Sequence, residues 1–233
     1  MQWLLLILAF IIPLIASLNV KSTFKKYSQV RSERGMTGAE AARQLLLDNG
    51  ITDVTIEPIA GNLTDHYDPR SNTIRLSQSV YGSDSVAAVG VAMHEAGHAL
   101  QYAQNYAPVR LRNAIVRSTN ICSRGSYLLV MLGCILSANF RTAQGQTNPG
   151  EVLLTLGIIL FCAVIFFQVV TLPVEFNASG RAVRSLQQGG VLTQTEQAGV
   201  KKVLTAAALT YVAAVASSLL TLMRLLLIRS RRR

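Results

Sequence analysis

With 233 residues, 50% of them hydrophobic, only 15% charged and a mean hydropathy of +0.35, the chain is too apolar for an ordinary soluble domain. A formal net charge of +10 invites a nucleic-acid reading, but the basic residues cluster beside apolar runs and no aromatic stripe interleaves with them, so they read as membrane-topology signals. The cysteines, Cys122, Cys134 and Cys162, lie in or beside apolar segments without C-x-x-C spacing, which excludes a disulfide framework and thiolate zinc ligands and predicts small buried apolar residues.

Residues 3–18 form an apolar run with no basic segment ahead of it and no convincing cleavage site after it. Lys21, Lys25, Lys26, Arg31 and Arg34 follow, so residues 1–19 are expected to be a retained transmembrane anchor with its cationic flank in the cytoplasm. Residues 20–120 have the composition of a small water-facing domain. Thr37-Gly-Ala-Glu40 is a capping-box signature for a short helix that Gly50 should stop. Asp53 to Ile59 alternates like a strand, and residues 63–77 read as a hairpin turning over Asp68-Pro-Arg-Ser-Asn72.

Next comes Met93-His-Glu-Ala-Gly-His98, an H-E-x-x-H pattern. Side chains four apart on an α-helix stand one above the other, so His94 and His98 can grip one metal ion while Glu95, one step round, can reach a water on it. Ser83, Asp84 or Ser85 can cap this helix, and Pro108 lies just past its end. The ordinary alternative is a pair of core histidines with a chance acid between them. Economy opposes it, because the chain has three histidines and spends two here. Gly97 costs a helix interior about 1 kcal/mol relative to alanine, which implies that something approaches it closely.

Beyond the motif, residues 121–138 make a short apolar span and residues 152–172 an uncharged 21-residue one, with a polar loop from Asn139 to Glu151 between them. Pro173 is expected to end the second span and to open a cytoplasmic segment, 173–202, that contains a second capping pattern, Thr193-Gln-Thr-Glu196. Residues 203–228 are long enough for a fourth crossing or a membrane-associated helix. Arg229, Arg231, Arg232 and Arg233 after it run against the positive-inside preference if it spans.

A catalytic zinc needs a third protein ligand, with the fourth position left to water. His66 is the spare imidazole. Glu175 is favoured, because two crossings return the chain to the face from which it left.

Asp65-His-Tyr-Asp-Pro, Met93-His-Glu-Ala-Gly-His-Ala-Leu-Gln, Leu172-Pro-Val-Glu-Phe-Asn-Ala-Ser and the run from Val200 to Ala214 resemble the YugP-like neutral zinc metallopeptidases of bacterial membranes over nearly the whole chain. The order of parts is also similar to that of the HtpX membrane peptidases and the CAAX prenyl peptidases. The resemblance implies a mainly α membrane protein with a small α+β zincin-like, gluzincin-like domain whose active-site helix carries H-E-x-x-H. It implies one Zn2+ per chain held by His94, His98 and Glu175, with Glu95 as general base and a peptide or membrane-protein substrate. It also implies a multi-pass protein of the bacterial inner membrane with its site on the cytoplasmic side. HtpX-like enzymes carry Asp four residues after the ligand glutamate, where this chain has Ser179, so another group must orient a ligand histidine. Asp65 and Asn177 are candidates for that task, and His66, Tyr67 and Arg181 for an oxyanion donor. Two competing readings stand beside this one: an intramembrane, site-2-type protease, and a non-catalytic zinc-binding scaffold. Neither substrate sequence nor oligomeric state is written in these residues.

Overall fold

The computed structural model describes residues 2–139, 148–190 and 192–230; most of the expected polar loop, residues 140–147, and Arg231, Arg232 and Arg233 lie outside them. In chain order the elements are α1 (Gln2–Tyr27), α2 (Gly38–Asp48), β1 (Thr55–Ile59), β2 (His66–Asp68), β3 (Thr73–Ser77), α3 (Gln78–Tyr81), α4 (Val86–Ala103), α5 (Ala107–Asn139), α6 (Pro149–Gly189) and α7 (Gln194–Ser230). Four of them, α1, α5, α6 and α7, are long and apolar enough to cross a membrane.

The residues fall into two compact units. Among the described residues, one comprises 2–15, 111–139, 148–171 and 211–230. Its interior is a cluster of Leu154 and Ile158 from α6 with Leu225 from α7, against which Val130 and Cys134 of α5 pack. The Ser217 hydroxyl of α7 donates to the Ala9 carbonyl of α1 at 2.6 Å. Phe10, Ile121 and Phe166 are 71%, 74% and 57% exposed, so this unit turns large apolar side chains outward as a lipid-facing surface does. Cys162 is exposed here as well and Cys122 and Cys134 are half-buried, so the expectation of three buried cysteines fails, although none of the three forms a disulfide.

The other unit comprises residues 16–110 and 172–210. A three-stranded sheet in the order β1-β3-β2 has β1 parallel and β2 antiparallel to β3, which leaves β2 as an edge. The turn of its hairpin is held by Asp68, which accepts from the Arg70 N–H at 3.0 Å and from Ser71 Oγ. Hydrogen bonds from the Arg70 N–H, the Arg75 guanidinium and the Ser71 hydroxyl depress the Asp68 carboxyl to about 2. Both capping boxes form: Thr37 N–H donates to Glu40 Oε2 at 2.8 Å ahead of α2, and Thr193 N–H to Glu196 Oε2 at 2.7 Å ahead of α7. The Glu196 carboxylate also accepts from the Glu33 N–H at 2.7 Å, which ties the start of α7 to the segment before α2.

The centre of this unit is α4, started by Ser85, whose hydroxyl accepts from the Ala88 N–H. Val86, Val89, Ala92, Met93 and Ala96 are all 0–1% exposed, in one core with Leu45, Ile74, Leu76 and Val80. A helix that is apolar nearly all round must be sheathed on all sides, and here its neighbours are protein.

Pro173 does not end a helix, contrary to the sequence expectation: α6 runs through it to Gly189. The proline removes one N–H and disfavours continuation. What carries the helix on is the stripe Val174, Ala178, Ala182 and Leu186, four residues apart and each 0% exposed, which the fold can bury only if the helical phase persists.

Candidate metal centre

The 3.6-residue repeat of α4 puts His94 and His98 on one face, with ring centroids 4.7 Å apart and planes at 84°. Between them sits Gly97. A Cβ there would lie 2.6 Å from the carbonyl oxygen of Ala178, so the glycine is what lets the α6 backbone close against α4. One turn before Ala178, α6 presents Glu175, 3% exposed, to the two imidazoles.

Glu175 Oε2 lies 3.4 Å from His94 Nε2 and 3.6 Å from His98 Nε2. Both separations are too long for good hydrogen bonds, and this buried oxygen has no hydrogen-bond partner. Ligand atoms about 2.0–2.1 Å from a zinc ion at the tetrahedral angle are separated by roughly 3.3–3.4 Å. The two separations from Glu175 are close to that value, and all three ligand atoms lie within 4.8 Å of one another, so the cluster could hold a metal ion. Burial alone would raise the Glu175 carboxyl, but the two facing imidazoles reverse that shift and hold it well below the usual range, so the anion persists. Burial lowers His98, yet the carboxylates of Glu175 and Glu95 outweigh it and the net direction is upward.

Each imidazole is anchored on its other nitrogen. His94 Nδ1 is 3.1 Å from Ser179 Oγ, and His98 Nδ1 is 3.0 Å from Gln101 Oε1. The Gln101 amide is oriented by its far side, where Nε2 donates to the Val174 carbonyl at 2.7 Å and to Asn177 Oδ1 at 3.0 Å. A carbonyl can only accept, so Oε1 must face His98; it in turn takes the Nδ1 proton and leaves Nε2 as a lone pair toward Glu175. One buried side chain thus links an imidazole to the backbone that carries the carboxylate. Sequence reasoning missed Gln101, although its place three residues after His98 on the same helix face was the available signal. It noted Ser179 only as a departure from a carboxylate pattern.

Glu95, 8% exposed, accepts from the Tyr67 backbone N–H through Oε2 at 3.0 Å. The edge of the sheet thereby fixes this carboxylate. The Tyr67 phenol itself donates to Asn72 Oδ1 at 2.7 Å, and burial, then the nearby Tyr102, Asp53 and Asp68, push it up to about 12. Asp65 accepts from the N–H and hydroxyl of Ser77, and exposed His66 has Nδ1 2.8 Å from the Thr64 carbonyl. Asn177 joins the network through Gln101, and Arg181 Nε donates to Asn177 Oδ1 at 2.7 Å. Arg181 also lines a cleft of about 610 Å³ with Leu100, Gln104, Arg184 and Ser185.

The chain is mainly helical, with four helices long and apolar enough to cross a membrane and a cluster of two half-buried histidines and one buried glutamate that could hold a metal ion. Residues 2–230 match the model of a family described as "Putative neutral zinc metallopeptidase", and the chain belongs to that family. It is 48% identical over 213 residues to the "Putative membrane protease YugP" of Bacillus subtilis (strain 168), covering 91% of this chain and 89% of that relative. No solved structure matches the chain.

Proposed function

We propose that the chain is a multi-pass, zinc-dependent membrane metallopeptidase in which His94, His98 and Glu175 hold one ion and Glu95 is the general base. The observation that carries this reading is the orphaned, buried Oε2 of Glu175 facing two Nε2 atoms at zinc-site spacing. When bound, the ion brings the pKa of a coordinated water toward about 7 and polarises a carbonyl. Glu95 then does the proton work: the Tyr67 N–H holds one carboxylate oxygen, and the other accepts the water proton and returns it to the leaving amine. Gln101 keeps His98 in the metal-binding tautomer, with Asn177 and Arg181 behind it, and Ser179 orients the His94 ring. Peptides or membrane proteins are the substrates, and the second compact unit is the zincin-like domain. Lys21, Lys25, Lys26, Arg31 and Arg34, directly after the apolar run of α1, support a cytoplasmic position for that unit at a bacterial membrane by the positive-inside preference.

The test is metal dependence of cleavage. Protein purified in detergent is expected to contain about one zinc per chain and to cut an unstructured reporter peptide. A strong zinc chelator should abolish cleavage, and stoichiometric zinc should restore it. Full activity in metal-free protein would refute the proposal.

Gln101→Ala tests the anchoring network separately. It leaves all three metal-binding side chains in place but frees His98 Nδ1, so zinc affinity in a chelator competition should fall about 10- to 100-fold. An unchanged affinity would reduce Gln101 to a core residue.

A further inference from the structure

A groove of about 530 Å³ opens between α1 and α7, and its lining combines the cations Lys26, Lys201 and Lys202 with the apolar Ala198, Ala206 and Leu209, the Tyr27 ring and the polar Asn19, Thr23 and Thr205. We propose that this groove is a binding site for an anionic phospholipid, with the lysines on the phosphate and the apolar wall along the start of an acyl chain. Four observations converge. None of the three lysines is in an ion pair among the described residues, and no carboxylate lines the groove, so about three positive charges converge on it without compensation. The lining is amphipathic in the manner of a lipid and unlike that of a site for free phosphate, which needs no apolar wall.

The groove also sits where both helices change character. The apolar run 3–18 of α1 ends immediately before Asn19, and the apolar run 203–228 of α7 begins immediately after Lys202. A membrane crossed by these two runs would have its headgroup layer at this level, where basic pockets between helices take anionic lipid heads. Finally, the groove is built into the helix contact. The Tyr27 ring packs so closely on α7 that a Cβ at Gly199 would lie 2.8 Å from it, and the Lys26 ammonium lies 5.7 Å from the centre of the same ring. The tyrosine wall is therefore set by the α1–α7 packing, with the Lys26 ammonium over it. Lys21 and Lys25, on the same helix, do not line the groove.

The experiment uses the full chain in a zwitterionic detergent and reads bound lipid by native mass spectrometry and by thermal shift. Short-chain phosphatidylglycerol is expected to bind and to raise the melting temperature, whereas phosphatidylcholine and inorganic phosphate at equal concentration do neither. Lys26→Gln/Lys201→Gln should weaken phosphatidylglycerol about fivefold per lysine removed, while Lys21→Gln/Lys25→Gln, with the same loss of charge, leaves binding within twofold. Thr205→Trp, at an exposed position within the groove, should block binding with every charge retained. The lipid proposal is overturned if inorganic phosphate reproduces the shift, or if the two lysine pairs weaken binding equally. It is equally overturned if the tryptophan variant binds like the parent. None of these readouts requires zinc or peptide cleavage.

Discussion

Glu175→Ala is expected to release the metal while leaving the protein folded. The substitution deletes one of three side chains that converge within 4.8 Å, and a site reduced to two imidazoles should lose roughly a thousandfold or more in zinc affinity. The fold should tolerate it. Docking of α6 rests on Val174, Ala178, Ala182 and Leu186, none of which changes, and the buried Oε2 that is deleted has no hydrogen-bond partner among the described residues. In the metal-free state the carboxylate is a buried charge whose attraction to the imidazoles outweighs its desolvation, so its removal costs the metal-free protein some stability. Thermal unfolding of metal-free Glu175→Ala should therefore lie below that of the metal-free parent but remain cooperative, and added zinc should raise the parent alone. His66→Ala is the control, since that exposed imidazole sits against the Thr64 carbonyl. Metal content should drop from about one per chain to near zero in the first variant and stay at one in the second. The reverse pattern would assign the third ligand to the spare histidine.

How much of this site was legible in the sequence depends on the range over which each part is specified. The pairing of His94 with His98 follows from helical periodicity alone, and Thr37 with Glu40 or Thr193 with Glu196 are three-residue devices that close locally. The hairpin over Asp68 to Asn72 is likewise written in its turn residues. Gly97 announced a close approach without naming the approaching group, which is the backbone of α6 at Ala178. Contacts of long sequence separation stayed hidden. Gln101 reaches Val174 across 73 residues and Ser179 reaches His94 across 85, and no local pattern encodes either. The Tyr67 N–H on Glu95 was equally invisible, because it is a backbone group whose direction depends on β2 being the free edge of the sheet. Pro173 misled for a related reason: the local rule for proline was outweighed by a buried stripe whose partners lie elsewhere in the chain.

Ser179 has a chemical consequence of its own. A hydroxyl on His94 Nδ1 fixes the ring's orientation as a carboxylate would, but adds no negative charge and so polarises the imidazole less. The compensating rigidity lies on the other histidine, where Gln101 is fully buried and its Nε2 donates to both the Val174 carbonyl and Asn177 Oδ1. The two imidazoles are thus supported unequally, one by a rotatable hydroxyl and one by a three-residue amide and guanidinium network.

Glu95→Gln separates a working peptidase from a protein that only stores zinc. The amide is isosteric with the carboxylate, and its carbonyl oxygen can still accept the Tyr67 N–H that Glu95 Oε2 accepts, so the substitution keeps both the packing of α4 and its tie to the sheet edge. Neither histidine nor Glu175 is touched, and zinc content should remain at about one per chain. What disappears is the proton acceptor. General-base contributions of 10²–10⁴-fold set the expected fall in kcat, with KM for the reporter peptide nearly unchanged because the lost interaction belongs to the transition state. Metal content and melting temperature measured on the same preparation exclude misfolding as the cause. A structural zinc site has no use for a carboxylate at this position, so a scaffold would show no functional change at all. If the Glu95→Gln protein retained zinc and cleaved peptide at the parental rate, the proton would have to travel by another group, and the role given to this carboxylate would be wrong.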